Sequence, residues 1–354
     1  MLYIDKDRPN IVRARIIHIQ KVGCRIRRRI GGSKCKQTDC EICSSKVRII
    51  SGVPKKLREI LLDDEFLEWI IGGMPNEIYS MAEMLWAEMI DKYSDADYQI
   101  FIKSKRKKPK DRTFDEIVAF YKYITYYKLF LKIFDYDVWF INSSNAGHYD
   151  AYSLASGLDL RTCTYCNRMY TSTIKTYRQK KVMRPTFDHW FSHSSYPMLG
   201  ISFYNLIPSC SICNSSVRGA KAYLLNSHFH PYVDKDILDH FQYGYHYYKT
   251  TNTYEIYIVN KTNSSKIFTT LSDLKLKEIY SSHISELADL IQIKKAYSEK
   301  YIENMLITYP GIHLSHNEAY RLAFGIEIEE KDFHKKPLSK FKKDILVRLN
   351  MLEF

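Results

Sequence analysis

The sequence has no long apolar segment. No hydrophobic run approaches the ~18–20 residues that a membrane-spanning helix needs, and the most apolar stretch, Tyr121 to Trp139, is interrupted by three lysines. The first ten residues, MLYIDKDRPN, lack the apolar centre of a secretory signal. No internal repeat or low-complexity tract is present either. We therefore expect a folded cytoplasmic protein with no membrane segment, and its 354 residues favour two or three structural units.

Acidic residues are scarce in three parts of the chain, although the net charge of the whole is only +13. Residues 1–50 contain thirteen basic and four acidic residues, residues 101–112 contain seven and one, and residues 163–230 contain eight and one. Basic charge concentrated in this way is typical of proteins that neutralise phosphates. A solvated basic surface is the alternative interpretation.

Cysteine is absent after position 213, and the eight cysteines fall into two groups with short internal spacings. In a cytosolic chain, such clustering favours metal binding over disulfides. The groups are Cys24, Cys35, Cys40 and Cys43, and Cys163, Cys166, Cys210 and Cys213.

The central group consists of two CxxC pairs separated by 43 residues. Each pair can place two thiolates at ~2.3 Å from one ion, and two pairs complete a closed tetrahedral zinc site with no open position. We therefore predict a structural zinc bound by Cys163, Cys166, Cys210 and Cys213. The N-terminal group lies beside RIRRR and has irregular spacing. It is compatible with a second zinc site, in which His18 can replace one ligand; buried free thiols are the alternative.

Sequence patterns also predict secondary structure. Asn10 to Gln20 alternates β-branched and basic residues, which is typical of a strand. Helical periodicity follows from Pro54 to Ile71, over 76–92 and over 114–136, with the lysine run 103–110 as an exposed loop.

The second half of the chain changes in character. Short strands and turns are expected over 145–235, a β-hairpin over 241–270, a helical segment over 271–307, and a last basic helix over 338–352 after Pro337. The expected units are a basic cysteine-containing element (1–55), a helical region (56–145), a central core (146–235) and a C-terminal hairpin and helical region (236–354).

Residues suited to phosphodiester hydrolysis lie between and beside the central cysteines. Hydrolysis needs a general base for water and a cation opposite the developing charge. A histidine suits the first task, and carboxylate and amide oxygens suit a hard cation. Asp188, His189, Asn205 and Asn214 supply these groups within 27 residues. Asp188 and His189 would point to opposite faces of a strand unless a turn or bulge intervenes. An isolated structural histidine is the alternative.

The order CxxC, DH, N, CxxCN resembles the HNH endonucleases, whose fold is the ββα-metal finger. The resemblance covers roughly residues 163–232 and implies an α+β fold: an HNH core with a four-cysteine zinc site, flanked by mainly helical regions. It implies that His189 is the general base and that Asn205 holds the loop that orients it. Asp188 and Asn214 would bind the catalytic Mg²⁺ or Mn²⁺.

The match departs from the family at one basic position. The family often has lysine three residues after the last motif residue, where this chain has Val217, with Arg218 and Lys221 beyond. His193 either assists metal or phosphate binding or is a surface histidine, and His228 and His230 are expected to pack locally. The residues predicted to contact nucleic acid are Arg168, Arg184, Arg218 and Lys221.

The phrases FDHWFSHSSYPMLGISFYNLIPSC and HFHPY are also similar to the HNH subunits of Septu-type and retron-associated bacterial anti-phage systems. In those systems the nuclease works beside an ABC-type ATPase. We therefore expect a defence endonuclease that acts on DNA in preference to RNA. The alternatives are a non-catalytic zinc-ribbon module that binds nucleic acid and an RNA-directed nuclease toxin.

Overall fold

The computed structural model describes residues 1–35, 40–142, 148–219, 221–296 and 315–352, apart from the side chain of His316. Helices and three small antiparallel sheets of two strands each make up the described part of the chain. The expected α+β class is therefore confirmed. Its buried apolar residues form one contiguous core that draws on all four predicted units. No described helix combines the length and apolar character that crossing a bilayer requires.

The N-terminal segment is a long helix, so the strand predicted for Asn10 to Gln20 is wrong. Helix α1 spans Pro9–Arg29 and has proline in its first turn, where the missing N–H costs nothing. The β-branched residues suggested a strand, but tertiary packing overrides that weak propensity. The side chains buried along α1 recur at helical spacing: Ile11, Ala14, His18 and Val22.

Seven short or medium α-helices follow among the described residues. The helix predicted from Pro54 to Ile71 is divided at Asp63, whose carboxylate accepts the backbone N–H of Phe66 at 2.7 Å and caps the second half. The elements are α2 (Glu41–Ser44), α3 (Lys55–Leu62), α4 (Asp64–Gly72), α5 (Pro75–Met89), α6 (Asp95–Ser104), α7 (Phe114–Ile133) and α8 (Ala151–Leu158).

The lysine run is only partly a loop. Lys103 lies in the last turn of α6, and Lys105 is half-buried. Residues 106–110 are exposed, as predicted, with a 3₁₀ turn at Pro109–Asp111.

The described part of the central region contains four short strands: β1 (Ile174–Lys175), β2 (Lys181–Met183), β3 (Thr186–His189) and β4 (Leu206–Ser209). Strands β3 and β4 pair antiparallel in continuous register, with Asp188 opposite Ile207 and His189 opposite Leu206. A π-helical segment, Ile212–Arg218, follows β4 directly. The paired strands β3 and β4 thus lie between the two cysteine pairs, and a helical segment follows them.

The C-terminal region begins with the predicted hairpin, which is shorter than expected. Its strands are β5 (Phe241–Tyr248) and β6 (Thr253–Asn260). The segment predicted to be helical over 271–307 forms helices as far as residue 296, and its remainder lies outside the described residues. The helices are α9 (Ser265–Asp273), α10 (Leu276–Tyr280), α11 (Ile284–Ala296), α12 (His316–Phe324) and α13 (Ser339–Arg348).

Candidate functional site

The central cysteines come together as predicted. The Sγ atoms of Cys163, Cys166, Cys210 and Cys213 all lie within 4.8 Å of one another, and all four residues are buried. The backbone N–H of Arg168 donates to the Cys166 sulfur, and that of Cys213 donates to the Cys210 sulfur, each at 3.4 Å. Such bonds stabilise the thiolate form that binds metal.

The first cysteine pair lies on a tight turn that only a few residue types can form. Asn167 follows Cys166 with φ of 49°, in the left-handed region that asparagine tolerates better than most residues. Its N–H donates to the Cys163 carbonyl at 2.8 Å, and Thr162 pairs with Tyr170 across the turn. The backbone therefore presents both sulfurs on the same side of the turn.

The N-terminal cysteines form a second cluster. The Cys24–Cys43, Cys35–Cys43 and Cys24–Cys40 sulfur pairs are separated by 3.3, 3.5 and 3.7 Å. A tetrahedral zinc with bonds of ~2.3 Å places its sulfurs about 3.8 Å apart, whereas a disulfide needs about 2.05 Å. Both clusters can therefore hold a metal such as zinc.

His18 does not join the N-terminal cluster, so the alternative that made it a ligand is wrong. The ring is fully buried, with Nδ1 2.8 Å from the Tyr149 hydroxyl and Nε2 2.7 Å from the Ile201 carbonyl oxygen. Both nitrogens are thus engaged in connecting α1 to the central region.

The arginines beside this cluster have acidic partners. Arg25 and Arg29 lie 3.7 and 3.6 Å from the Asp135 carboxylate, and Arg27 pairs with Asp64. Arg25 also lies over the Trp139 ring at 5.3 Å. These contacts attach α1 to the helical region. Much of the basic charge near the cluster is therefore engaged in contacts within the chain.

His189 ends strand β3 in a half-buried aromatic setting. Its ring contacts Tyr136 at 4.3 Å and stacks on His193 at 5.0 Å between centroids. Nε2 lies 2.8 Å from the Gly200 carbonyl oxygen, which can only accept. Nε2 therefore carries the proton. Burial and, to a smaller extent, His193 lower the pKa of His189 to about 3, so the ring is neutral and Nδ1 keeps its lone pair. Among the described residues, Nδ1 has no hydrogen-bond partner.

Two residues fix the loop that carries the Gly200 carbonyl. The buried side chain of Asn205 accepts the Phe191 N–H at 2.6 Å and donates to the Phe191 and Leu199 carbonyls at 3.1 and 2.9 Å. Gly200 is needed because a Cβ there would lie 2.5 Å from the His193 ring. Asn205 thus holds the loop against which His189 is oriented.

Asp188 lies on the other face of β3, because the register contains no bulge. Its Oδ2 accepts the Tyr165 hydroxyl at 2.5 Å and lies 2.8 Å from Nε of Arg218. Both charged side chains are 2–3% exposed. Burial raises the pKa of Asp188, whereas Arg218 and Tyr165 oppose that rise. The structure therefore does not bring Asp188 and His189 to one site.

Asn214 contacts the backbone of β3. It is half-buried on the π-helical segment, and its Nδ2 donates to the Phe187 carbonyl at 3.5 Å. The Tyr136 hydroxyl donates to the same carbonyl at 3.4 Å, and its ring contacts His189. Tyr136 and Asn214 thus meet at the Phe187 carbonyl, and Tyr136 also contacts His189. Nothing in the sequence singled out Tyr136, because it lies well before the motif and matches an ordinary core aromatic.

The four basic residues predicted to contact nucleic acid differ in accessibility. Arg218 is buried against Asp188, Tyr223 and the Trp190 carbonyl, so a phosphate cannot reach it without displacing them. Lys221 pairs with Asp273 at 2.8 Å. Arg168 and Arg184 are half-buried, and Arg184 lies over the Tyr152 and Phe187 rings.

The other histidines near the motif pack locally, as predicted. His228 lies 3.1 Å from the Asp273 carboxylate and stacks on Tyr223 at 4.1 Å. His230 accepts the Tyr232 N–H and contacts Trp190. Neither belongs to a metal-ligand cluster of the described residues.

Comparison of the chain with protein-family models, with characterised proteins and with solved structures finds no significant match.

Proposed function

We propose that this protein is an HNH-type endonuclease that hydrolyses phosphodiester bonds, with DNA preferred over RNA. The observation that carries the proposal is the state of His189: a neutral imidazole whose Nε2 is fixed by the Gly200 carbonyl and whose Nδ1 is left as a base. It ends the first strand of an antiparallel pair that a helical segment follows, beside a cysteine cluster suited to zinc.

The chemistry assigned to His189 is removal of a proton from the attacking water. A general base contributes through its unprotonated nitrogen, and its position matters as much as its pKa. The low pKa indicates a weak base in the free protein, but a phosphate brought close to the ring would favour the imidazolium and raise it. Asn205 contributes by keeping the Gly200 carbonyl in place, which fixes the ring and its tautomer.

The predicted ligands of a catalytic Mg²⁺ or Mn²⁺ do not fit that ion as they stand. Asp188 is engaged by Arg218 and Tyr165 on the face of β3 opposite His189. The Asn214 amide donates to the Phe187 carbonyl. The catalytic ion is therefore an expectation from the resemblance to HNH enzymes.

A second candidate function is a zinc-containing module that binds nucleic acid without cutting it. The Asp188–Arg218 pair favours this alternative, because it closes the position where the family binds metal. An RNA-directed nuclease would use the same site as the DNA enzyme, and cutting of RNA in preference to DNA would identify it.

A nicking assay decides between these functions. Purified protein is incubated with supercoiled DNA, or with RNA, in Mg²⁺ or Mn²⁺, and compared with His189→Ala. We expect cutting by the wild type and a loss of about 10²–10⁴-fold in the variant, the usual contribution of a general base. His246→Ala is the matched control, because His246 is exposed on the β5–β6 hairpin.

Two results would contradict the enzyme proposal: binding without any cutting by the wild type, or near-wild-type cutting by His189→Ala. A role as the effector of an anti-phage system, beside an ABC-type ATPase subunit, belongs to the same proposal. Co-purification from the native host tests it, since an ATPase subunit should accompany the chain in a stable complex.

A further inference from the structure

The hairpin formed by β1 and β2, residues 174–183, is exposed along its whole length. We call it the basic hairpin, because its ten residues include four basic and no acidic side chains. It links the first cysteine pair to β3. Tyr177, at its tip, is fully exposed.

The tip is a built turn rather than an open loop. The N–H of Gln179 donates to the Thr176 carbonyl, and the N–H of Thr176 donates to the Lys180 carbonyl, both at 2.9 Å. The Thr176 hydroxyl accepts the N–H of Lys180 at 3.1 Å, and Gln179 has φ of 58°. Tyr177 and Arg178 are therefore held at the outermost point of the turn.

Folding does not explain the composition of this hairpin. Ile174, Val182 and Met183 are 41–56% exposed, so their burial contributes little to the core. Lys175, Arg178 and Lys180 have no acidic partner among the described residues. Unpaired cations beside a projecting aromatic ring are the combination that binds nucleic acid, since cations neutralise phosphates and aromatic rings stack on bases.

We propose that the basic hairpin binds nucleic acid, with Lys175, Arg178 and Lys180 on phosphates and Tyr177 stacked on an unpaired base. The inference rests on the proposed function and adds to it a contact surface outside the motif residues. Met183 precedes His189 by only six positions, so the base of the hairpin lies within ~20 Å of the candidate general base. One nucleic-acid strand can therefore contact both.

The chain offers a matched control at the exposed tip of the β5–β6 hairpin. That hairpin also has tyrosines and a lysine near its tip. Its charges cancel, however, because it contains one lysine and one acidic residue, Glu255. The Tyr248 hydroxyl donates to Glu255 at 2.7 Å, and the Tyr247 hydroxyl donates to Asn252 at 2.8 Å. These tyrosine hydroxyls are thus satisfied within the chain.

Fluorescence anisotropy with labelled single-stranded and duplex oligonucleotides tests the proposal, without added divalent metal so that cutting does not interfere. In the full-length chain, Tyr177→Ala should weaken binding to the single strand about tenfold, the size of one base–aromatic stack, and weaken duplex binding less. Lys175→Ala/Arg178→Ala/Lys180→Ala should reduce the slope of log K against log salt by about 2, at ~0.7 per lost phosphate contact. Tyr248→Ala/Lys249→Ala should bind as the wild type does.

The outcomes separate this proposal from the proposed function. If the basic-hairpin variants keep wild-type affinity and salt slope, the hairpin proposal is overturned, even where the wild type cuts. If they bind weakly and the control does not, the hairpin proposal holds, even where the wild type never cuts. Because the substituted positions are exposed, we expect circular dichroism and zinc content to be unchanged in the variants. Any loss of nucleic-acid affinity is then not due to misfolding.

Discussion

At the scale of single residues, the contact between Asp188 and Arg218 is the one from which we expect the largest effect on stability. Both charges are almost fully buried, and Tyr165, which lies between Cys163 and Cys166 of the central cluster, donates to the same carboxylate. A buried ion pair is not strongly stabilising compared with an apolar pair, but removal of one partner leaves an uncompensated buried charge. Asp188 and Arg218 therefore connect the π-helical segment to β3 and to the first cysteine pair.

We expect Arg218→Met to lower the free energy of unfolding by about 3–5 kcal/mol and to raise the pKa of Asp188 further, because the carboxylate loses its cation. Urea denaturation measured by tryptophan fluorescence gives the first quantity. Arg168→Met is the control, since this half-buried arginine has no acidic partner among the described residues.

The double variant Asp188→Asn/Arg218→Met should recover part of the lost stability, because it removes both charges. Surface substitutions change the free energy of unfolding by about 0.5 kcal/mol. If the value for the single variant Arg218→Met lies within about 1 kcal/mol of the wild-type value, the pair has no such role.

At the scale of elements, the two cysteine clusters hold together segments that, in larger sheets, neighbouring strands and helices hold together. Strands β3 and β4 have four residues each, too few to form an independently stable hairpin. The central cluster connects residues before β3 to residues after β4, and the N-terminal cluster attaches the segment after α1 to that helix. Metal binding in such clusters supplies folding free energy directly.

We expect the purified protein to contain about two zinc ions per chain, and Cys210→Ser and Cys43→Ser each to lose about one, because a closed site needs all four thiolates. Inductively coupled plasma mass spectrometry gives the content. Cys210→Ser should also lower solubility and abolish cutting, because its cluster holds the β3–β4 unit.

Cys43→Ser should have a milder effect on cutting, since its cluster attaches α2 to α1 rather than holding the strand that carries His189. Full zinc occupancy in a soluble Cys210→Ser protein would refute the structural role of the central site.

At the scale of the whole molecule, four of the described histidines, three buried and one half-buried, make stability depend on pH. Burial lowers the pKa of His18 and of His334 to about 4, and that of His189 and of His230 to about 3. In the unfolded chain the pKa values of all four histidines return to about 6.5. Below that pH, the unfolded state binds protons that the folded state excludes.

Stability should therefore be complete above about pH 6.5 and fall as the pH drops towards 4 and then 3, by up to ~1.4 kcal/mol per pH unit for each histidine. Urea denaturation at several pH values measures this slope, with zinc content followed in parallel because thiolate protonation also releases metal. A free energy of unfolding that stays constant from about pH 7 to about pH 5 in the zinc-loaded protein would contradict the assignment.

The sequence by itself determined the features that depend on local spacing. The cysteine pairs predicted the central cluster, since CxxC on a tight turn brings two sulfurs together whatever the rest of the chain does. Apolar periodicity predicted the helices after Pro54 and the core of the β5–β6 hairpin, because one face of each must be buried. The same reasoning failed at Asn10 to Gln20, where β-branched residues suggested a strand and long-range packing produced α1.

Only the tertiary structure decided which partners each motif residue contacts. Asp188 and His189 are neighbours in sequence, but the regular register of β3 sends one to Arg218 and Tyr165 and the other to Tyr136 and Gly200. The tautomer of His189 depends on a carbonyl that Asn205 holds from across the loop. Such partners are distant along the chain, and hydrogen bonds and burial act through space, so no local pattern in the sequence specifies them.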